Sequence, residues 1–156
     1  MTQDTFSTTL VAWTAQRKAL MDVRDAVFIH EQGVPLCPEW DGRDAAATHA
    51  LARSPAGEPI GVARLLDDGQ LGRMAVMPAW RRQGVGSALL AQMLRHAQAH
   101  ALLDRLFIHA QCAVEPFYRR HGFRPEGERF AEAGIPHIRM RYAPAGDADD
   151  REAGDV

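Results

Sequence analysis

Cysteine is scarce in this chain: its 156 residues include only Cys37 and Cys112. Two cysteines cannot staple a disulfide scaffold, and these two fit no paired metal-ligand spacing. A bridge between them has no support, and the composition suits a reduced, cytoplasmic protein. An excess of one charge is also missing, with 18 Lys and Arg against 20 Asp and Glu and a formal net charge of −2. No overall basic field is present to gather nucleic acid or an anionic membrane surface. No apolar run approaches the roughly 20 residues that a membrane-spanning helix needs. Met1 to Thr9 is polar and holds no apolar core segment, so no secretory signal is expected. Repeats and internal linkers are absent too. Hydrophobic residues make up 46%, enough for one domain with a proper core. The reading is a single domain over 1–143. A tail over 144–156, built of Asp, Glu, Ala and Gly, lacks the apolar residues to fold and is expected to be disordered.

The pattern alternates strands and helices. Phe6 to Trp13 reads as a strand and 15–31 as a helix, with Leu20, Val23, Val27 and Phe28 on one face. Gln32-Gly33 ends that helix, and a loop from Val34 to Asp44 follows, carrying the Asp41-Gly42 turn signal. Thr48–Arg53 and Ile60–Leu66 read as strands around a turn over 54–59. Asp67-Asp68-Gly69 is a hairpin signal leading to a strand from Leu71 to Met77. A helix runs from Val85 to about His100, and Leu103–Gln111 is strand-like. Ala113–His121 reads as a short helix closed by Gly122, and strands follow over Phe123–Phe130 and Pro136–Tyr142. Hairpins mixed with strand-to-helix connections imply an α+β fold with a mixed sheet flanked by helices.

The densest information lies from Leu71 to Leu94. Pro78 closes the strand because it has no N–H to give a ladder. Val85, Leu89 and Met93 then recur at helical spacing. Between strand and helix runs Arg81-Arg82-Gln83-Gly84-Val85-Gly86-Ser87. The glycines let a ligand approach the backbone, and the first N–H groups of a helix point outward with a positive dipole. Such a helix start is an anion site. The dinucleotide fingerprint would need a third glycine where Leu89 stands, and a P-loop would need a lysine before its Ser or Thr, where Gly86 precedes Ser87. A strand–helix corner that needs glycine only for close packing is the competing reading.

Arg81-x-x-Gly84-x-Gly86 after Val76-Met77-Pro78, with Phe117-Tyr118-Arg119-Arg120-His121-Gly122-Phe123 further on, resembles the GNAT superfamily of N-acetyltransferases, which bind acetyl-coenzyme A. The resemblance covers about residues 5–143. Phe28-x-x-Glu31-Gln32-Gly33-Val34, Glu39-Trp40-Asp41-Gly42-Arg43-Asp44, Thr48-His49, His109-Ala110-Gln111 and Gly134-Ile135-Pro136-His137 are similar to the ElaA-like bacterial branch. The resemblance implies the GNAT fold, in which the signature strand and the strand near 103–110 splay apart to admit the pantetheine arm. It implies that Met74, Ala75 and Val76 pair with that arm through their backbone, and that Arg81 to Ser87, with Arg82, Gln83, Gly84, Val85 and Gly86, hold the pyrophosphate. Gln111, Phe117 and Tyr118 complete the implied cofactor set, and Arg119 or Arg120 would reach the 3′-phosphate unless both merely solvate a helix end.

Acetyl transfer to an amine requires a deprotonated amine, a stabilised oxyanion and a protonated leaving thiolate. An alkyl amine has a pKa near 10.4 and a thiol near 8.5, so neither proton step is automatic at neutral pH. The resemblance places Tyr118 near the cofactor sulfur, where a phenol donates a proton or a hydrogen bond. A backbone N–H of Met74–Val76 would meet the oxyanion. For the base, His109, His137 and Glu31 are candidates beside a water relayed through carbonyls, and nothing in the sequence separates them. Glu31, Trp40 and His137 lie on segments that would face the acceptor. The loop Pro38–Asp44 either offers carboxylates and a π face to a cationic amine or is held by its own turn chemistry. His49, His109 and His137 fit no standard zinc spacing, so no metal is expected.

The expected activity is acetyl-CoA-dependent N-acetylation of a small-molecule or protein amine by direct attack, with no nucleic-acid or membrane partner. A non-catalytic acyl-CoA-binding sensor module would keep the anion site without a base. The Val27-Phe28-x-x-Glu31-Gln32 segment resembles acyl-homoserine-lactone synthases, a third reading. The sequence leaves the acceptor open. A homodimer is an open expectation, since dimers are common among such proteins.

Overall fold

The computed structural model describes residues 5–34 and 41–144. One sheet of seven strands organises it, in the order β1-β2-β3-β4-β5-β7-β6. Its strands are β1 (Ser7–Val11), β2 (Thr48–Arg53), β3 (Pro59–Leu65), β4 (Gln70–Val76), β5 (Phe107–Gln111), β6 (Phe123–Glu132) and β7 (Ile135–Tyr142). Neighbours pair antiparallel except β4 and β5, which run parallel. A parallel pair needs a crossover, and α2 (Val85–Ala99) supplies it. The other helices are α1 (Trp13–Arg24) and α3 (Glu115–Arg120).

Side chains alternate across the sheet, so each face buries its own set. On one face Val85, Leu89, Leu90, Met93 and Ala97 of α2 pack with Ala50, Ala52, Ala63, Leu71 and Ile108. On the other, Leu20, Val23, Val27 and Phe28 pack with Leu51, Val62 and Ala75. Burying each large apolar side chain contributes about 1.5–3 kcal/mol, so the two faces hold the helices firmly. Gly61 lets α2 lie close to β3, since a Cβ there would stand 2.9 Å from Val85 Cγ1 and 3.0 Å from Leu89 Cδ1.

Several expected boundaries move. Trp13 opens α1 instead of ending β1. The helix expected over 15–31 is α-helical only to Arg24 and continues as a π-helical turn, Asp25–Glu31. That wider turn keeps both Val27 and Phe28 inward, and π turns are frequent at functional sites. The strand expected from Leu103 begins at Phe107, because Leu103–Arg105 forms a 3₁₀ turn. Cys112–Val114 is likewise a 3₁₀ turn ahead of α3, whose end at Gly122 has φ +94°. Trp40, Cys37 and, apart from Pro144, the expected acidic tail lie outside the described residues. Among the described residues no helix is long and apolar enough to cross a membrane.

Candidate functional site

β4 and β5 pair only at Gln70 with Phe107 and Leu71 with Ile108. A bulge separates them beyond that point. Val62 pairs with Ala75 but Arg64 with Gly72, so β4 carries one more residue than β3 between the same rungs. Arg73 sits in the extra length at φ +46°, a region that costs a non-glycine residue energy and persists only where packing demands it. The strands therefore diverge as the sequence reading expects. A cavity of about 920 Å³ opens along Gly72–Val76, the start of α2, Ile108–Gln111 and α3.

The glycine turn forms the wall at one end. Gly84 is the N-cap of α2 at φ +91°, in the left-handed region that favours glycine, and a Cβ there would meet nothing within 4 Å. It brings no side chain to occupy the first-turn N–H groups, and that turn holds no acidic residue. Gly86 faces the Phe117 ring, 3.5 Å from where a Cβ would stand. Not every residue of the motif points at the cavity. Arg81 donates from Nε to the Val76 carbonyl at 2.9 Å, and its two terminal nitrogens reach the Glu31 carboxylate at 2.8 and 2.7 Å. Gln83 donates to the Ala79 carbonyl, and the Val85 side chain is buried in the core. Gln83 thus braces the turn from behind, whereas Arg81 braces it through Glu31 and still borders the cavity with Arg82, Gly84, Gly86 and Ser87.

Tyr118 of α3 is buried and its hydroxyl donates to Met74 Sδ at 3.7 Å, joining α3 to β4. Burial pushes its phenol well up, which keeps it a neutral donor. Phe117 stands edge-on to it, with ring centroids 5.0 Å apart. Across the cleft Gln111 Nε2 donates to Gln32 Oε1 at 2.9 Å, linking β5 to the end of the π turn.

The far end of the same cavity is a sheet face with two histidines. His109 Nδ1 lies 3.1 Å from Glu132 Oε1. His137, opposite Gln111 on β7, places Nδ1 2.7 Å from the Ile135 carbonyl. Phe130 lies between them, 5.1 Å from His109 and 5.9 Å from His137 by ring centroid. Glu31 does not line this cavity. Arg81 lowers its carboxyl by hydrogen bond and charge, which makes it a weaker proton acceptor.

Residues 15–144 match the family model for the acetyltransferase (GNAT) domain. The chain belongs to the GNAT acetyltransferase family. It is 34% identical over 129 residues to a Bacillus subtilis protein named "Uncharacterized N-acetyltransferase YjcF", covering 80% of this chain and 91% of that one. Among solved structures it resembles an acyl-CoA N-acyltransferase from Pseudomonas aeruginosa, with TM-score 0.77, 32% identity and coverage of 89% and 100%. Escherichia coli ElaA is also similar, with TM-score 0.77, 29% identity and coverage of 88% and 99%. The GNAT fold, the likeness to ElaA and an acyltransferase enzyme all follow.

Proteins of the GNAT fold use acyl-CoA. The cleft fits such a ligand: β4 has an edge unpaired with β5 beyond Leu71, and the glycine turn leaves open space at a helix start. In this GNAT chain Arg120 lines the cavity, whereas Arg119 pairs with Glu115 at 3.1 Å. Of the acidic loop, the carboxylates of Asp41 and Asp44 lie within the described residues. Asp44 is buried and shared by Arg24 at 2.6 Å and Arg64 at 3.2 Å. Asp41 takes Arg64 through both oxygens and Arg73 at 3.3 Å. Burial alone would raise the Asp41 carboxyl. The hydrogen bonds from Arg64 and the Arg43 N–H, with the charges of Arg64 and Arg73, overcome this and lower it to about 2. These carboxylates are committed to arginines, and through Arg73 they anchor the bulge.

His49 sits beneath that network, donating from Nε2 to the Asp44 carbonyl at 2.9 Å, apart from His109 and His137. Desolvation lowers its pKa and favours the neutral ring. Among the described residues no group of three or more His, Cys, Asp or Glu could hold a metal. Arg24, Arg64 and Glu132 are not among the residues expected from the sequence. Arg64 carries a usable signal, since a cation inside the apolar run Ile60–Leu66 must be paired when buried.

Proposed function

We propose that the protein is an acetyl-CoA-dependent N-acetyltransferase that moves an acetyl group to a primary amine by direct attack, with both substrates bound together. The observation that carries this reading is the continuity of one cavity from Gly84 and Gly86 to His109 and His137. Donor and acceptor can therefore meet without a covalent acyl-enzyme.

Acetyl-CoA supplies the activated acyl group as a thioester. The first-turn N–H groups from Val85 to Ser87 and the cation of Arg82 receive the pyrophosphate. The backbone of Met74, Ala75 and Val76 aligns the pantetheine arm, and an N–H among them stabilises the oxyanion. Phe117 and Gln111 border the arm. Tyr118, neutral and buried, donates to the departing sulfur. His109 receives the acceptor's proton, and His137 contacts the acceptor; Trp40 keeps an acceptor role on sequence grounds alone. A cytoplasmic setting suits the two-cysteine composition, and a homodimer belongs to the same proposal.

The test is release of free thiol from acetyl-CoA in the presence of primary amines, with the acetylated product identified by mass. Turnover with an amine supports the reading. Acetyl-CoA binding without turnover for any amine favours the non-catalytic acyl-CoA-binding module instead.

A further inference from the structure

The two cavity histidines differ in what holds them. His137 Nδ1 meets a backbone carbonyl, which is neutral, whereas His109 Nδ1 meets the Glu132 carboxylate. Both partners only accept, so in each neutral ring the proton sits on Nδ1 and Nε2 keeps its lone pair. The second ring nitrogen of His109 has no hydrogen-bond partner among the described residues, and both His109 and Glu132 line the cavity. The pair is also held sideways. His109 lies between the rings of Phe107 at 5.8 Å and Phe130 at 5.1 Å. Its neighbour across β7, Arg139, is drawn off onto the Phe107 face at 3.9 Å and onto Glu126 at 3.2 Å, which leaves Glu132 to His109.

We propose that Glu132 is a positioning residue that fixes His109 in the Nδ1–H form and faces the imidazolium created when Nε2 takes the acceptor's proton. This rests on the acetyl-transfer reading. In that step the ammonium N–H bond breaks, its electron pair stays on nitrogen as the nucleophilic lone pair, and the proton forms a bond to Nε2. The positive charge passes from the amine to a ring 3.1 Å from a carboxylate. His137 has no carboxylate in the corresponding place, which separates two histidines that the sequence leaves equal. An orienting acid behind a histidine base is the arrangement that lets a single tautomer act.

The experiment combines kinetics with nitrogen NMR of the His109 ring, using acetyl-CoA and three probe amines: spermidine, Nα-acetyl-lysine and phenylethylamine. Glu132 has a 43% exposed side chain, so its variants are expected to fold, and their melting temperatures check this. H109Q should lose on the order of a hundredfold in kcat, and E132A about tenfold, with the KM for acetyl-CoA within about twofold. E132Q, whose amide oxygen still accepts from Nδ1–H, should recover part of that loss. In the H109Q background, E132A should cost nothing further, because Glu132 acts only through His109. The NMR of wild type should show Nε2 unprotonated in the neutral ring, and E132A should lose that single form. Additive losses in the double variant, or an unchanged tautomer in E132A, overturn the proposal. No thiol release by wild type with any of the three amines overturns the acetyl-transfer reading and the base role with it. The tautomer result then still decides whether Glu132 positions His109.

Discussion

Glu31 grips Arg81 with both carboxylate oxygens, at 2.7 and 2.8 Å, across 50 residues of sequence. The contact ties the end of the first helical segment to the turn that opens α2. Both ends of the cleft's mouth are thereby pinned by adjacent residues, since Gln32 holds Gln111 on β5. The motif arginine is a brace for the turn, and the glutamate is its counter-charge.

Glu31→Gln therefore tests whether this carboxylate does chemistry. Both side chains are 40% exposed, so loss of the pair should cost no more than about 1 kcal/mol. Turnover should stay within about threefold of wild type. A loss near the hundredfold of a missing general base would return Glu31 to that role.

Gly84→Glu should abolish binding of acetyl-CoA, because it sets a carboxylate in the open space proposed for the pyrophosphate. Gly84→Ala is the control. At φ +91° any side chain is strained, by about 1 kcal/mol, yet alanine adds no charge. Calorimetric titration should find no binding in the first variant and weakened binding in the second. Equal affinity in the Glu variant and wild type would remove the anion site from this turn.

Tyr118→Phe separates chemistry from packing. The hydroxyl's partner is the Met74 thioether, a weak acceptor, so its removal should change stability by less than about 1 kcal/mol. Affinity for acetyl-CoA should hold within about twofold, while kcat falls at least tenfold if the phenol donates to the leaving sulfur. Unchanged kcat would reduce Tyr118 to a core residue.

Asp41 should make the protein acid-sensitive in a defined window. Its folded carboxyl is held at about 2 against an ordinary 3.8. A depressed pKa gives stability that is fully present above about pH 4 and lost as pH falls through about 2. Solvent screening at this exposed residue discounts that fall to on the order of 1 kcal/mol. Urea unfolding at pH 6 and pH 2.5 should show wild type losing on the order of 1 kcal/mol more than Asp41→Asn between the two. Equal losses would mean that the Arg64 and Arg73 contacts do not hold Asp41 ionised.

What was legible in the sequence was local. The hairpin at Asp67-Asp68-Gly69, the strand closing at Pro78 and the helix from Val85 each carry their own signal in neighbouring residues, and all three stand where expected. The divergence of β4 from β5 came from the family resemblance. Its physical cause, the extra residue at Arg73, has no mark in an apolar strand pattern. Partnerships were illegible. His109 meets Glu132, 23 residues away, only because β6 shifts register between Glu126 and Phe130 and β7 lies between it and β5. Asp41 and Asp44 read equally well as bait for an amine until Arg24 and Arg64 are seen buried against them. The π turn from Asp25 was hidden because its inward residues, Val27 and Phe28, also satisfy an α-helical stripe.

The most direct test of the account is thermal unfolding with and without excess acetyl-CoA. A ligand at about 100 times its Kd adds roughly 2.7 kcal/mol to the folded state. For a domain of this size that should raise Tm by about 5–11 °C. A rise of that order would place the cofactor on the folded protein and justify the search for its amine. No rise at millimolar acetyl-CoA would contradict the account, leaving the turn from Arg81 to Ser87 as a packed corner and the cleft between β4 and β5 without its ligand.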